Sequence, residues 1–261
     1  MVSKLTMCIF FNTAWAYPLF LWNTPLNEIK NGFYRFTLGL STILWGMACI
    51  LLFFNLNSEN FLLKMIPPLI ALFLIGGFTA LVWKRTNISL VFISIICSIL
   101  ALVSYYIHHQ ILINIKFLNP ALFIGTFILS NILFAMILGH WFLNVPNLKI
   151  TRLQKTVSIL GFLLILRTIW DCYSIYTKND LIQGGVIISG YDFLISIDGV
   201  FLWIALFFGL IAPLILNFMT IKTLEIFSTQ SATGLLYINL VLLLMSEMIF
   251  KYYLLKFKWI L

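Results

Sequence analysis

LNPALFIGTFILSNILFAMILGHWFL, residues 118–143, contains no Asp, Glu, Lys or Arg. Wound as a helix at about 1.5 Å per residue, it is long enough to cross the roughly 30 Å hydrocarbon core of a bilayer. Apolar runs of that length are membrane spans, because only a helix pairs its own backbone groups where no water can. The same texture recurs on both sides of it. Residues 34–56, 65–83 and 88–108 precede it, and 157–176, 197–221 and 231–255 follow, which makes seven clear spans. Residues 5–22 are a doubtful eighth, interrupted by Asn12 and Pro18. The expected fold is all-α, an integral membrane bundle of seven or eight transmembrane helices, forming a single polytopic domain over 1–261.

Composition agrees. Apolar residues are 62% of the 261-residue chain and charged ones 9%, with a mean hydropathy of +1.06. The net charge of +8 sits as single bases at the ends of apolar runs, where they meet lipid headgroups, so the bilayer and not nucleic acid is the expected partner. Lys4, a short apolar stretch and Ala14-Trp15-Ala16 have the look of a signal peptide; we read 5–22 as a short span or interfacial helix instead. Lys30, Arg35, Lys84, Arg85, Lys149, Arg152, Lys155 and Lys222 fall on one side of the alternating topology. Lys4, Lys64, Lys116 and Lys178 fall on the other, joined by Lys256 and Lys258. Eight bases against six put the first side in the cytoplasm by the positive-inside rule. The loop at 177–196 is the longest, and Gly184-Gly185 and Gly190 predict an irregular or re-entrant segment there.

Two stretches share the expected cytoplasmic face: Gly139-His140-Trp141-Phe142-Leu143-Asn144-Val145-Pro146, which ends the fifth span, and Ser228-Thr229-Gln230-Ser231-Ala232-Thr233-Gly234, which opens the eighth. With Gly209-Leu210-Ile211-Ala212-Pro213 they are similar to a family of uncharacterised bacterial polytopic membrane proteins. The resemblance covers the chain from about Gly139 onward. It implies a bacterial inner-membrane setting and carries no established activity or functional residue.

The polar residues inside spans define the candidate sites. Arg167 and Asp171, four apart, share a face of the sixth span, and Glu247 and Lys251 do so in the eighth. A lone charge at such depth costs at least about 2.5 kcal/mol on insertion scales, so these groups are expected to face inward and pair. They either line one functional cavity or form structural ion pairs. His140, with Trp141 and Arg152, is a candidate contact for a quinone or lipid headgroup; the plainer reading is an interfacial histidine beside an aromatic-belt tryptophan. Ser228 or Thr229 is expected to cap the last helix, with an anion attracted to its N-terminus as the functional alternative. Asn131 and Asn217 are expected to bridge helices by hydrogen bonds. Gly76 with Ala80, and Ala205 with Gly209, allow close helix approach, whereas Pro67-Pro68 and Pro213 are expected to kink or break their helices.

No phosphate-binding loop, zinc-protease, serine-hydrolase or paired-cysteine motif is present in the sequence, so enzymatic activity is neither assigned nor excluded and no metal is expected. Cys8, Cys49, Cys97 and Cys172 are isolated in apolar surroundings. His108 and His109 end the fourth span and His140 the fifth, so no pair of them flanks one haem iron; the cofactor stays unknown. The function expected is that of a non-catalytic or quinone-contacting subunit, or an accessory protein, of a membrane energy-conversion (respiratory) assembly, with partner membrane subunits. The alternative is a secondary transporter or channel for a small solute or proton.

Overall fold

The computed structural model describes residues 2–26, 28–29, 31–56, 61–84, 89–112, 120–145, 148–179, 181–183, 186–259 and 261. Lys30, Arg85, Lys116, Pro146, Gly184 and Gly185 lie outside them. Eight helical stretches among the described residues are long and apolar enough to cross a membrane, the doubtful first one, Val2–Asn23, among them. Among the described residues the chain is all-α apart from one short hairpin, and its helices gather into two compact units, Met1–Leu118 and Asn119–Leu261.

In the first unit α1 (Val2–Ala16) runs into a 3-10 segment, Tyr17–Asn23, and is followed by α2 (Asn31–Asn55), α3 (Phe61–Lys84) and α4 (Leu90–Leu112). Consecutive helices pack together and α4 closes the ring on α1. Pro18 stands at the tightened segment, where its missing N–H costs least. Phe11 meets Trp45 edge-on at 4.8 Å in the core. Several polar groups between these helices are neutral and are joined one bond at a time. Trp45 Nε1 donates to the Pro68 carbonyl (2.9 Å), Ser41 to Ala14 O, Ser104 to Asn12 Oδ1 (2.9 Å), and Thr42 Oγ1 lies 3.0 Å from Thr79 Oγ1. Asn12, which interrupts the first apolar run, is therefore an interhelical acceptor. The expected break at Pro67-Pro68 does not occur, for α3 is continuous across both. They fall in its second turn, where only the carbonyls of Leu63 and Lys64 lose their helical donors.

In the second unit α5 (Pro120–Asn144) and α6 (Ile150–Thr177) are followed by strands β1 (Leu181–Gln183) and β2 (Val186–Ile188), then short α7 (Gly190–Ile195) and α8 (Gly199–Leu206). A π-helical segment, Phe207–Ile211, leads into α9 (Ala212–Glu225), and α10 (Thr229–Phe257) completes the unit. α5, α6, α9 and α10 form a closed ring of packed neighbours. The 177–196 segment is more regular than expected: β1 and β2 pair antiparallel, Leu181 opposite Ile188, and Ser189 caps α7 by accepting from the Asp192 amide at 3.1 Å. Pro213 does disturb its helix. Its ring excludes an α-helical partner for the Gly209 carbonyl, and the ladder opens by one residue just before it, the Ala212 amide reaching back to Phe207 O. Beyond α10, Lys258 adopts a left-handed conformation, φ 52°, and reverses the chain. Trp259 thereby enters the core, packs on Phe193 at 5.5 Å and donates to Ser174 Oγ at 3.0 Å.

Candidate functional site

Arg167 and Glu247 each lie ten residues before the end of their helix, α6 and α10, about 15 Å along the axis, and so at one level. α6 begins at Ile150, ahead of the span read from sequence, which leaves Arg167 about 25 Å from the helix start. The structure brings the three expected residues together. Arg167 Nε lies 3.0 Å from Asp171 Oδ1 and directs its hydrogen at Oδ2, 3.2 Å away. Arg167 Nη1 lies 3.4 Å from Glu247 Oε1 and donates to Ala121 O at 3.1 Å. Glu247 Oε2 takes Lys251 Nζ at 2.8 Å. Acid and base thus alternate along Asp171, Arg167, Glu247 and Lys251, with no net charge and every member buried.

Three features hold this arrangement. Arg167 Nη2 donates to the main-chain oxygen of Leu261 at 2.6 Å, which the turn at Lys258 carries back to the site. The Phe250 ring lies 4.5 Å from the guanidinium carbon, a cation–π contact in a desolvated place. Gly125 of α5 leaves the space the charges occupy, since a Cβ there would fall 2.7 Å from Glu247 Oε2 and 2.8 Å from Arg167 Nη1. Beside them lies a cavity of about 10 Å³, lined by Ala121, Arg167, Glu247, Lys251 and Leu261 among others, room for about one water. Such a site can hold or pass a proton between neighbouring acid and base groups. It is too small for an organic solute.

The other expected residues fare differently. His140 is exposed at the end of α5, its carbonyl accepting from Asn144 Nδ2 at 3.1 Å. Trp141 and Arg152 are partly buried and engaged within the protein. The two sequence stretches that carry the family resemblance do meet: a Cβ on Gly139 would lie 2.8 Å from Thr233 Oγ1. Gln154 Nε2 likewise reaches Leu224 O at 3.4 Å, so the start of α6 adjoins the end of α9. Ser228 holds the N-cap position of α10, but no side chain caps that end; the Thr233 hydroxyl bonds back to Thr229 O at 2.7 Å instead. The expected bridge through Asn131 is also corrected, for neither of its amide atoms finds a partner among the described residues. Asn217 sits against Gly161, whose Cβ would lie 2.7 Å from Asn217 Nδ2. Asn239, fully buried in α10, was missed although its one signal, an amide within an apolar run, is in the sequence. The Leu261 oxygen carried no signal at all. Among the described residues no three His, Cys, Asp or Glu side chains are grouped to hold a metal.

No family model, curated protein or solved structure matches this chain.

Proposed function

We propose that this chain is a non-catalytic subunit or accessory protein of a respiratory energy-conversion assembly in a bacterial inner membrane, and that its second unit handles protons for that assembly. One observation carries the reading: four ionisable groups alternate acid and base inside a membrane-spanning unit, beside space for about one water. Ionisable groups kept within a membrane mark ion or proton pathways by default, since an apolar replacement spares their desolvation. His140 and Trp141, at the end of α5, suit contact with a quinone or headgroup at the membrane boundary.

The test is purification of the intact chain from its native membrane in mild detergent. A stoichiometric redox subunit should accompany it, and E247Q should lower respiration-driven acidification in vesicles while the complex still assembles. A solitary chain that conducts protons or a solute by itself in liposomes overturns the subunit reading in favour of secondary transport. Unchanged acidification with E247Q overturns the proton role.

A further inference from the structure

Three asparagines, Asn131 of α5, Asn217 of α9 and Asn239 of α10, are 0%, 4% and 0% exposed. Five of their amide atoms have no hydrogen-bond partner among the described residues: Oδ1 and Nδ2 of Asn131, Oδ1 and Nδ2 of Asn239, and Oδ1 of Asn217. Ser130 Oγ is in the same condition. A buried polar atom left so bears its full desolvation cost, and interiors seldom tolerate one, let alone six.

The helix registers put the three amides in one layer. Gly125 faces Glu247 and Gly139 faces Thr233, equal intervals on antiparallel α5 and α10. That register sets Leu133 opposite Asn239, two residues and about 3 Å from Asn131. Gly209 faces Ser246, which by the same reasoning sets Leu216, neighbour of Asn217, opposite Asn239. Direction agrees with level. On α10 Glu247 faces α5, while Ser246, about 100° round, faces Ala205 of α8 and Gly209 of the π-helical segment, the stretch that runs on into α9. Asn239 lies two turns before Ser246 and so on the α9 side. Asn131 is turned about 100° from the Gly125–Gly139 line, which in an antiparallel partner is the same side, toward α6. Asn217 faces Gly161 of α6. All three amides therefore turn into the ring of α5, α6, α9 and α10.

We propose that this layer is a second binding site, independent of the proton reading, and that its ligand is neutral and carries both donors and acceptors, namely a small cluster of water. The unpartnered atoms decide the class. A cation would take the three Oδ1 atoms and leave the Nδ2 groups of Asn131 and Asn239 unpaired; an anion would do the reverse. Flipping an amide changes neither count, because each always brings one oxygen and one NH2. Water supplies both kinds of bond and needs two to four polar partners, which the layer offers. Asn239 is eight residues from Glu247, about 12 Å along α10, so the layer is distinct from the ion cluster.

The test is a map of the full chain in nanodiscs at a resolution that resolves ordered water, with melting curves in sodium chloride and in choline chloride. Non-protein density within hydrogen-bond distance of at least two of the three amides, and equal melting in the two salts, is the expected result. The double variant N131L/N239L should lose that density. The proposal is overturned if the three amides bond one another directly with no density between them, or if sodium alone raises the melting temperature. The parent map decides even if the variant does not accumulate.

Discussion

The two units have the same four-helix ring connectivity and use their small residues in opposite ways. In the second unit a Cβ added at four glycines would strike a polar side chain, Glu247 and Arg167 at Gly125, Thr233 at Gly139, Asn217 at Gly161 and Ser246 at Gly209, while Gly234 has nothing within 4 Å. In the first unit Gly39 and Gly77 have nothing within 4 Å, and Gly46 and Gly76 meet only a methyl group at 3.8 Å. In the first unit the bonds that join helices at Trp45, Ser104 and Thr42 are single neutral bonds to carbonyls or hydroxyls. The second buries whole charges and gives up side-chain volume on facing helices to seat them. Among the described residues the buried charges are confined to the second unit.

The largest effect that tests this contrast is removal of the central guanidinium. R167L leaves Asp171 and Glu247 with Lys251 as the one neighbouring cation of the cluster, and an uncompensated buried charge costs about 3–5 kcal/mol. The variant is expected to lose most of its folded yield, measured by size-exclusion chromatography of a fluorescent fusion. R167L/D171L, which removes one charge of each sign, should recover part of the loss; strictly additive losses would separate the two residues energetically.

G125A comes next. Its methyl group would meet Glu247 and Arg167, which are held from their far sides by Lys251, Asp171 and Leu261. Neither can retreat freely, so overpacking should cost about 1–3 kcal/mol, read as a lower melting temperature in detergent. W45F in the first unit removes the indole that donates to Pro68 O, while Cys49 Sγ still reaches that carbonyl at 3.7 Å, so the cost should be about 0.5–1.5 kcal/mol, the net worth of one hydrogen bond. If W45F costs more than R167L, the contrast between the units is reversed.

What the sequence made legible follows the same division. Spans could be read because hydrocarbon demands a long apolar run, and the inward pairing of Arg167, Asp171 and Glu247 because stranded charge is too costly in a membrane. The site was half visible for a related reason. Charges announce themselves by rarity, but Gly125, the Phe250 ring and the Leu261 oxygen act by position, and position comes from helix register that no local pattern encodes. The two proline sites teach the same point. Pro67-Pro68 and Pro213 look alike as sequence, yet α3 stays continuous across the first pair because they fall near its start, whereas Pro213 lies mid-span and forces the π-helical segment Phe207–Ile211.

The smallest expected effect is also the one that bears on partners. Gly39 and Gly77 lie inside helices α2 and α3 with no neighbouring atom in reach of a Cβ. Glycine in a helix interior is less favourable than alanine by roughly 0.5–1 kcal/mol, because it loses more backbone freedom on folding. G39A and G77A should therefore raise the melting temperature slightly or leave it unchanged, in contrast to G125A. The measurement has a second arm, made in native membranes. If G39A is harmless in the purified chain but lowers accumulation there, the open glycine is filled by a helix from another subunit, and the first unit's bare face is a docking surface. If it is harmless in both, lipid covers that face, and glycine at 39 reflects no packing demand.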